Sequence, residues 1–133
     1  MLSRGIAKGG IIMQFICYPK CSNCQKAKKW LDANHIEYTE RHIVEEHPTY
    51  DELKAWYGRS GLPLKRFFNT SGMLYKEMQL KDKLPQMSEE EQLTLLATNG
   101  MLVKRPLAVS DDYVLVGFKE AEWNGIKGTE VEH

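Results

Sequence analysis

The stretch QFICYPKCSNCQKAKKWL, residues 14–31, decides the fold. Gln14 to Tyr18 is a short apolar run rich in β-formers and reads as a buried strand. Beyond Pro19-Lys20 the period changes. Cys24, Ala27, Trp30 and Leu31 fall on one helical face, and Lys26, Lys28 and Lys29 fall on the opposite one as a solvated surface. Ser22, with Gln25 three residues later, has the pattern of a capping box at the helix start. Asn34-His35 closes the helix, and Ile36 to Ile43 alternates as a second strand. Strand, helix and strand within about 30 residues make a βαβ unit, which implies a parallel pair and a right-handed crossover.

Outward from this unit the chain turns helical. Pro48 and Thr49, with Glu52, start a helix whose apolar face holds Leu53, Trp56 and Tyr57, and Gly58 and Gly61 break it. Leu62 to Phe68 reads as a short helical turn before the loop Asn69-Thr70-Ser71-Gly72. Ser88 with Glu91 is another capping box, and Leu93, Leu96 and Ala97 supply a buried stripe up to Asn99-Gly100. Leu107 to Val109, the turn Asp111-Asp112 and Tyr113 to Val116 read as an antiparallel hairpin, with a helix from Lys119. The order is βαβ, a helical insertion, then ββα, which is an α/β arrangement. With no internal repeat, low-complexity tract or linker, residues 13–126 are expected to form one domain. Residues 1–12 are expected to be a flexible extension and 127–133 a flexible tail.

Composition narrows the function classes. The chain has 133 residues, 42% of them hydrophobic and 27% charged, which suits one ordinary globular domain and argues against disorder. Eighteen basic residues balance eighteen acidic ones, so no overall charge draws the protein to nucleic acid or to an anionic membrane. No apolar run approaches the roughly 20 residues that span a bilayer. The segment Met1 to Ile12 lacks the features of a signal peptide. The 3 cysteines are an odd number, all between Cys17 and Cys24, and cannot build a disulfide framework. A cytoplasmic protein is expected, in which such thiols are redox or metal groups.

The strongest chemical feature is Cys21-Ser22-Asn23-Cys24, a CxxC at the junction of the first strand and the first helix. Unpaired N–H groups and the positive end of a helix favour an anion in the first turn, so Cys21 is placed to act as a nucleophilic thiolate. Cys24 lies one turn inward and can attack a mixed disulfide on Cys21, leaving a Cys21–Cys24 disulfide. Cys17 belongs to the strand behind them, as a packing residue or a secondary redox thiol. No bound metal is expected. A structural zinc site needs four ligands, and neither a second CxxC nor a His pair is present. The Cys17-x3-Cys21-x2-Cys24 spacing resembles the cluster motif of radical SAM enzymes, but those enzymes use a much longer partial barrel.

The CxxC through Lys29-Trp30-Leu31, the segment Leu64-Lys65-Arg66, Tyr75, and Met101-Leu102-Val103-Lys104-Arg105-Pro106-Leu107 together resemble the ArsC/Spx family over about residues 14–126. The resemblance implies a thioredoxin-like fold with a four-stranded mixed sheet. It also implies that Cys21 corresponds to the nucleophile of the family's arsenate reductases, that Arg105 and Arg66 correspond to arginines around an oxyanion, and that Pro106 is a candidate for a cis peptide. Arginine suits this role because it stays charged and offers forked donors. Where glutathione-coupled arsenate reductases carry a third arginine, this chain has Val116-Gly117-Phe118, and those enzymes work with one cysteine rather than a pair. Two functions follow from the resemblance. One is a thiol–disulfide oxidoreductase with no bound cofactor, reduced by thioredoxin, or by glutaredoxin and glutathione, and acting on a small oxyanion or another oxidised substrate. The other is an Spx-like redox-sensing regulator that acts through the RNA polymerase α subunit without binding nucleic acid directly.

Overall fold

The structure, a computed structural model, describes residues 12–131, with side chains up to Ile126. The expected N-terminal extension lies outside the described residues, apart from Ile12. Chain contacts divide the protein into two compact units. One is formed by residues up to Arg41 together with those from Arg105 onward, and the other by His42–Lys104. The second is the helical insertion anticipated from the sequence.

The first unit is built on β1 (Met13–Cys17), α1 (Ser22–Ala33) and β2 (Tyr38–His42). After the insertion come β3 (Leu107–Val109), β4 (Val114–Val116) and a final helix, Glu120–Val131. The strands form one four-stranded mixed sheet in the order β2-β1-β3-β4. β1 runs antiparallel to β3, pairing Phe15 with Ala108, and β3 runs antiparallel to β4, pairing Ala108 with Leu115. Strand side chains alternate between faces, so Met13, Phe15 and Cys17 share one. These three are buried in a single cluster with Cys24, Ala27 and Leu31 of α1 and with Trp123 and Ile126 of the last helix. Trp123 has no exposed surface. Its indole N–H donates to the Gly117 carbonyl at 3.0 Å, so its one polar atom is satisfied. Phe118, Trp30 and Phe15 all meet its ring edge-on or nearly so.

Three local details differ from the sequence reading. The Ser22–Gln25 capping box does not form. The Gln25 N–H bonds to the Cys21 carbonyl at 3.1 Å, so the helix starts one residue early with Cys21 as its N-cap, and the Gln25 side chain donates to Pro19 instead. Gly58 lies inside a helix, Tyr50–Ser60, which ends at Gly61 in the left-handed region. The last helix continues through Val131 where a tail was expected from 127. Each further helical residue adds a hydrogen bond once Trp123 and Ile126 have anchored the first turns. Residues 132–133 lie outside the described residues.

In the helical unit, α2 (Tyr50–Ser60) is followed by a 3-10 turn at Leu64–Phe67 and by α3 (Met73–Glu77), α4 (Leu80–Lys83) and α5 (Glu89–Thr98). The final helix of the chain is therefore α6. The other two predicted capping boxes are present: Thr49 with Glu52 at α2 and Ser88 with Glu91 at α5. The backbone of Phe68 bridges to Val103, and the Lys104 N–H donates to the Phe67 carbonyl at 2.8 Å. These bonds join the two basic segments, which are distant in sequence. Packing and capping give a stability prediction. Trp123→Ala should cost about 3–5 kcal/mol and Ser88→Ala about 1 kcal/mol in urea denaturation. Equal, small losses for both would contradict this placement of the core.

Candidate redox site

The site grows out of the turn between β1 and α1. β1 ends at Cys17, and the Cys21 N–H turns back to the Tyr18 carbonyl at 3.0 Å. Cys21 then enters the helix with extended backbone (φ −89, ψ 122), and its side chain caps no backbone N–H. It is half-buried at the mouth of the site, while Cys24 and Cys17 are buried, and all three thiols are free. Thus Cys21 is the most exposed of the three thiols.

Cys24 sits between the other two. The Tyr18 N–H donates to its Sγ at 3.3 Å, which holds the sulfur against the Cys17–Tyr18 peptide. Its thiol also interacts with those of Cys17 and Cys21. The interaction with Cys17, followed by burial, pushes the Cys24 thiol well above the ordinary range, and the Tyr18 N–H offsets only part of this. The same interaction lowers Cys17, against opposing effects of burial and of Glu40. The Cys17 S–H lies 3.5 Å from Glu40 Oε2 on β2, and Glu40 Oε1 is paired with Lys28 of α1 at 3.0 Å. The sequence did not single out Glu40 or Lys28. Only the pairing of β2 beside β1 could have found Glu40, and Lys28 looked like one more charge on a solvated face.

Arg105 is half-buried, with its guanidinium carbon 5.2 Å from the centre of the Tyr18 ring. It therefore rests on the segment whose carbonyl holds the Cys21 N–H. The Arg105–Pro106 peptide bond is cis, and the Pro106 carbonyl accepts from Gly117 N–H at 2.8 Å. Gly117 has φ 75, a conformation that favours glycine over side chains such as arginine. Arg66 belongs to the helical unit, where it lines a hollow of about 310 Å³ with Lys65, Lys104 and Thr70. Among the described residues, no group of three or more His, Cys, Asp or Glu is arranged to hold a metal ion. No helix there is long and apolar enough to cross a membrane.

Exposure and protonation together order the thiols by reactivity. In the native protein, iodoacetamide should label Cys21 first. Cys24, held as a neutral thiol above the ordinary range and buried, should stay unlabelled at pH 9, where a free cysteine is largely thiolate. Urea should abolish the difference. Peptide mapping that finds Cys24 alkylated as fast as Cys21 in the native state would refute this ordering.

The ArsC family sequence pattern matches residues 17–126. Among curated proteins, YusI of Bacillus subtilis (strain 168) is 57% identical over 111 residues, covering 84% of this chain and 94% of that protein. The global transcriptional regulator Spx of Staphylococcus epidermidis is 32% identical over 105 residues, 78% of each chain. Among solved structures, an ArsC family related protein from Bacteroides fragilis superposes with a TM-score of 0.86 at 62% identity, covering 87% of this chain and 98% of that one. A possible arsenate reductase from Streptococcus mutans UA159 superposes with a TM-score of 0.78 at 40% identity, covering 85% and 98%. On the strength of the matched pattern and of these relatives, this chain belongs to the ArsC family.

Proposed function

We propose that the protein is a cytoplasmic thiol–disulfide oxidoreductase in which Cys21 is the nucleophile and Cys24 the resolving thiol. One observation carries this reading: a half-exposed cysteine at a helix N-cap has a buried cysteine one turn along behind it. The Cys21 sulfur attacks the oxidised substrate. Cys24 then attacks the Cys21 sulfur, and the substrate leaves with the electron pair. With arsenate as substrate, As(V) departs as As(III), one oxygen leaves as water, and the two thiols become one disulfide. Thioredoxin, or glutaredoxin with glutathione, returns two electrons and restores the dithiol. Arg105 serves the anion at the cysteine turn. The hollow shared by Arg66, Lys65 and Lys104 has the charge to favour a second anionic contact.

A second reading is favoured by the relationship to Spx, and it fits Val116-Gly117-Phe118 standing where, by the resemblance, glutathione-coupled arsenate reductases carry a third arginine. In it the same cysteine pair is a switch that alters binding to the RNA polymerase α subunit.

An NADPH-coupled assay with arsenate, using either thioredoxin or glutaredoxin and glutathione, separates the readings. For the enzyme, Cys21→Ser and Cys24→Ser should each abolish turnover. Arg105→Ala should lower kcat/KM by about 10–100-fold, the scale of a lost charged hydrogen bond. No turnover under either coupling, together with redox-dependent capture of the α subunit, would establish the regulator instead.

A further inference from the structure

We propose that Cys17 is a third redox-active thiol, which takes over the disulfide from Cys21 and stores it as a buried Cys17–Cys24 bond. The proposal rests on the reading of Cys21 and Cys24 as a redox pair and extends it inward. Three observations carry it. Strand alternation puts Cys17 on the face of β1 that packs against α1, in the same buried cluster as Cys24. The Tyr18 N–H, from the residue next to Cys17, fixes the Cys24 sulfur at 3.3 Å, and the protonation of the two thiols is coupled in opposite directions. Cys17 also has a carboxylate within reach, Glu40 at 3.5 Å, which is tied to Lys28 and is 44% exposed. A buried thiol with a proton acceptor on one side and a partner sulfur on the other has what disulfide exchange requires.

The step balances without an added oxidant. Cys17 gives its proton to Glu40 as its sulfur attacks Cys24 Sγ of the Cys21–Cys24 disulfide. The Cys21–Cys24 bond breaks, Cys21 departs as a thiolate with the electron pair, and a Cys17–Cys24 bond forms. Glu40, being partly exposed, passes the proton to water. The protein as a whole is neither oxidised nor reduced. Cys21 is regenerated at the surface while the oxidising equivalent is held inside, so Cys21 can form one further adduct, whose resolution waits until a reductase restores Cys24. Cys24 serves both bonds.

The test uses the full chain equilibrated in buffers of oxidised and reduced glutathione. Disulfides are mapped by mass spectrometry after acid quenching and non-reducing digestion, and circular dichroism checks each variant for native fold. Cys21→Ser, which keeps only Cys17 and Cys24, should lose two hydrogens and yield a Cys17–Cys24 linked peptide. Cys17→Ser should yield only Cys21–Cys24, and wild type should yield both. In wild type pre-oxidised at Cys21–Cys24, Glu40→Gln should slow the reappearance of the Cys21 thiol by about 100-fold. Folded Cys21→Ser that retains two free thiols in buffers that fully oxidise Cys17→Ser overturns the proposal and leaves the surface pair intact. If Cys17→Ser fails to form Cys21–Cys24, the redox-pair reading falls, and with it the exchange. Should Cys21→Ser be unfolded, wild type decides alone: a Cys17–Cys24 peptide supports the proposal, and its absence at full oxidation overturns it.

Discussion

The hydrogen bond from the Tyr18 N–H to the Cys24 sulfur is the contact on which the site depends. It ties the first turn of α1 to the end of β1, and three consequences follow. Cys21 is carried outward onto the N-cap, where its side chain is spared any capping duty. Cys24 is fixed behind it, buried and held neutral. Cys17, the last residue of the strand, is brought against Cys24 from the other side. A strand–helix junction with looser packing would leave three separate thiols. This one makes a line of them, running from solvent at Cys21 to the carboxylate of Glu40.

Much of this was legible in the sequence, and the reasons are physical. Residues 14–31 carry a change of hydrophobic period from strand to helix, and that change fixes both elements and the junction between them. Thr49 with Glu52 and Ser88 with Glu91 mark helix starts because capping is a local interaction. The hairpin of β3 and β4 shows itself through its short turn. What stayed hidden depends on partners distant in sequence. Glu40 reaches Cys17 only because β2 lies beside β1; the βαβ reading implied that pair, but nothing in the alternation of residues 36–43 says which side chain of β2 will face Cys17. The division of the chain at His42 and Arg105 is likewise a property of packing. The Ser22–Gln25 pattern misled because the same residues fit a helix starting at either Cys21 or Ser22. The carbonyl of Cys21 took the first helical bond, which released Gln25 to Pro19.

The family contains proteins named for two kinds of work, and both readings of this chain draw on the same side chains. A surface thiol, a buried partner and a nearby arginine can exchange electrons with a small molecule. The same set can record the redox state of the cell as a bond that is present or absent. For this chain the two readings share the Cys21–Cys24 pair, and they differ in what approaches Cys21. In the enzyme reading, Arg105 over the Tyr18 ring is the group offered to an anion. Gly117, with its left-handed backbone, is a position that disfavours a side chain such as arginine. Which thiols are present, and how they touch, therefore says more about mechanism here than about the identity of the substrate.

Central to all of this is the position of Cys24 as the shared sulfur of the site. The most direct measurement is a redox titration of the wild-type protein in graded glutathione buffers, with every disulfide-linked peptide identified at each potential. A two-electron transition is expected, with a tenfold change in the oxidised-to-reduced ratio for about 30 mV, and every intramolecular disulfide should contain Cys24. A Cys17–Cys21 disulfide, or oxidation that stops at a glutathione adduct on Cys21, would contradict it.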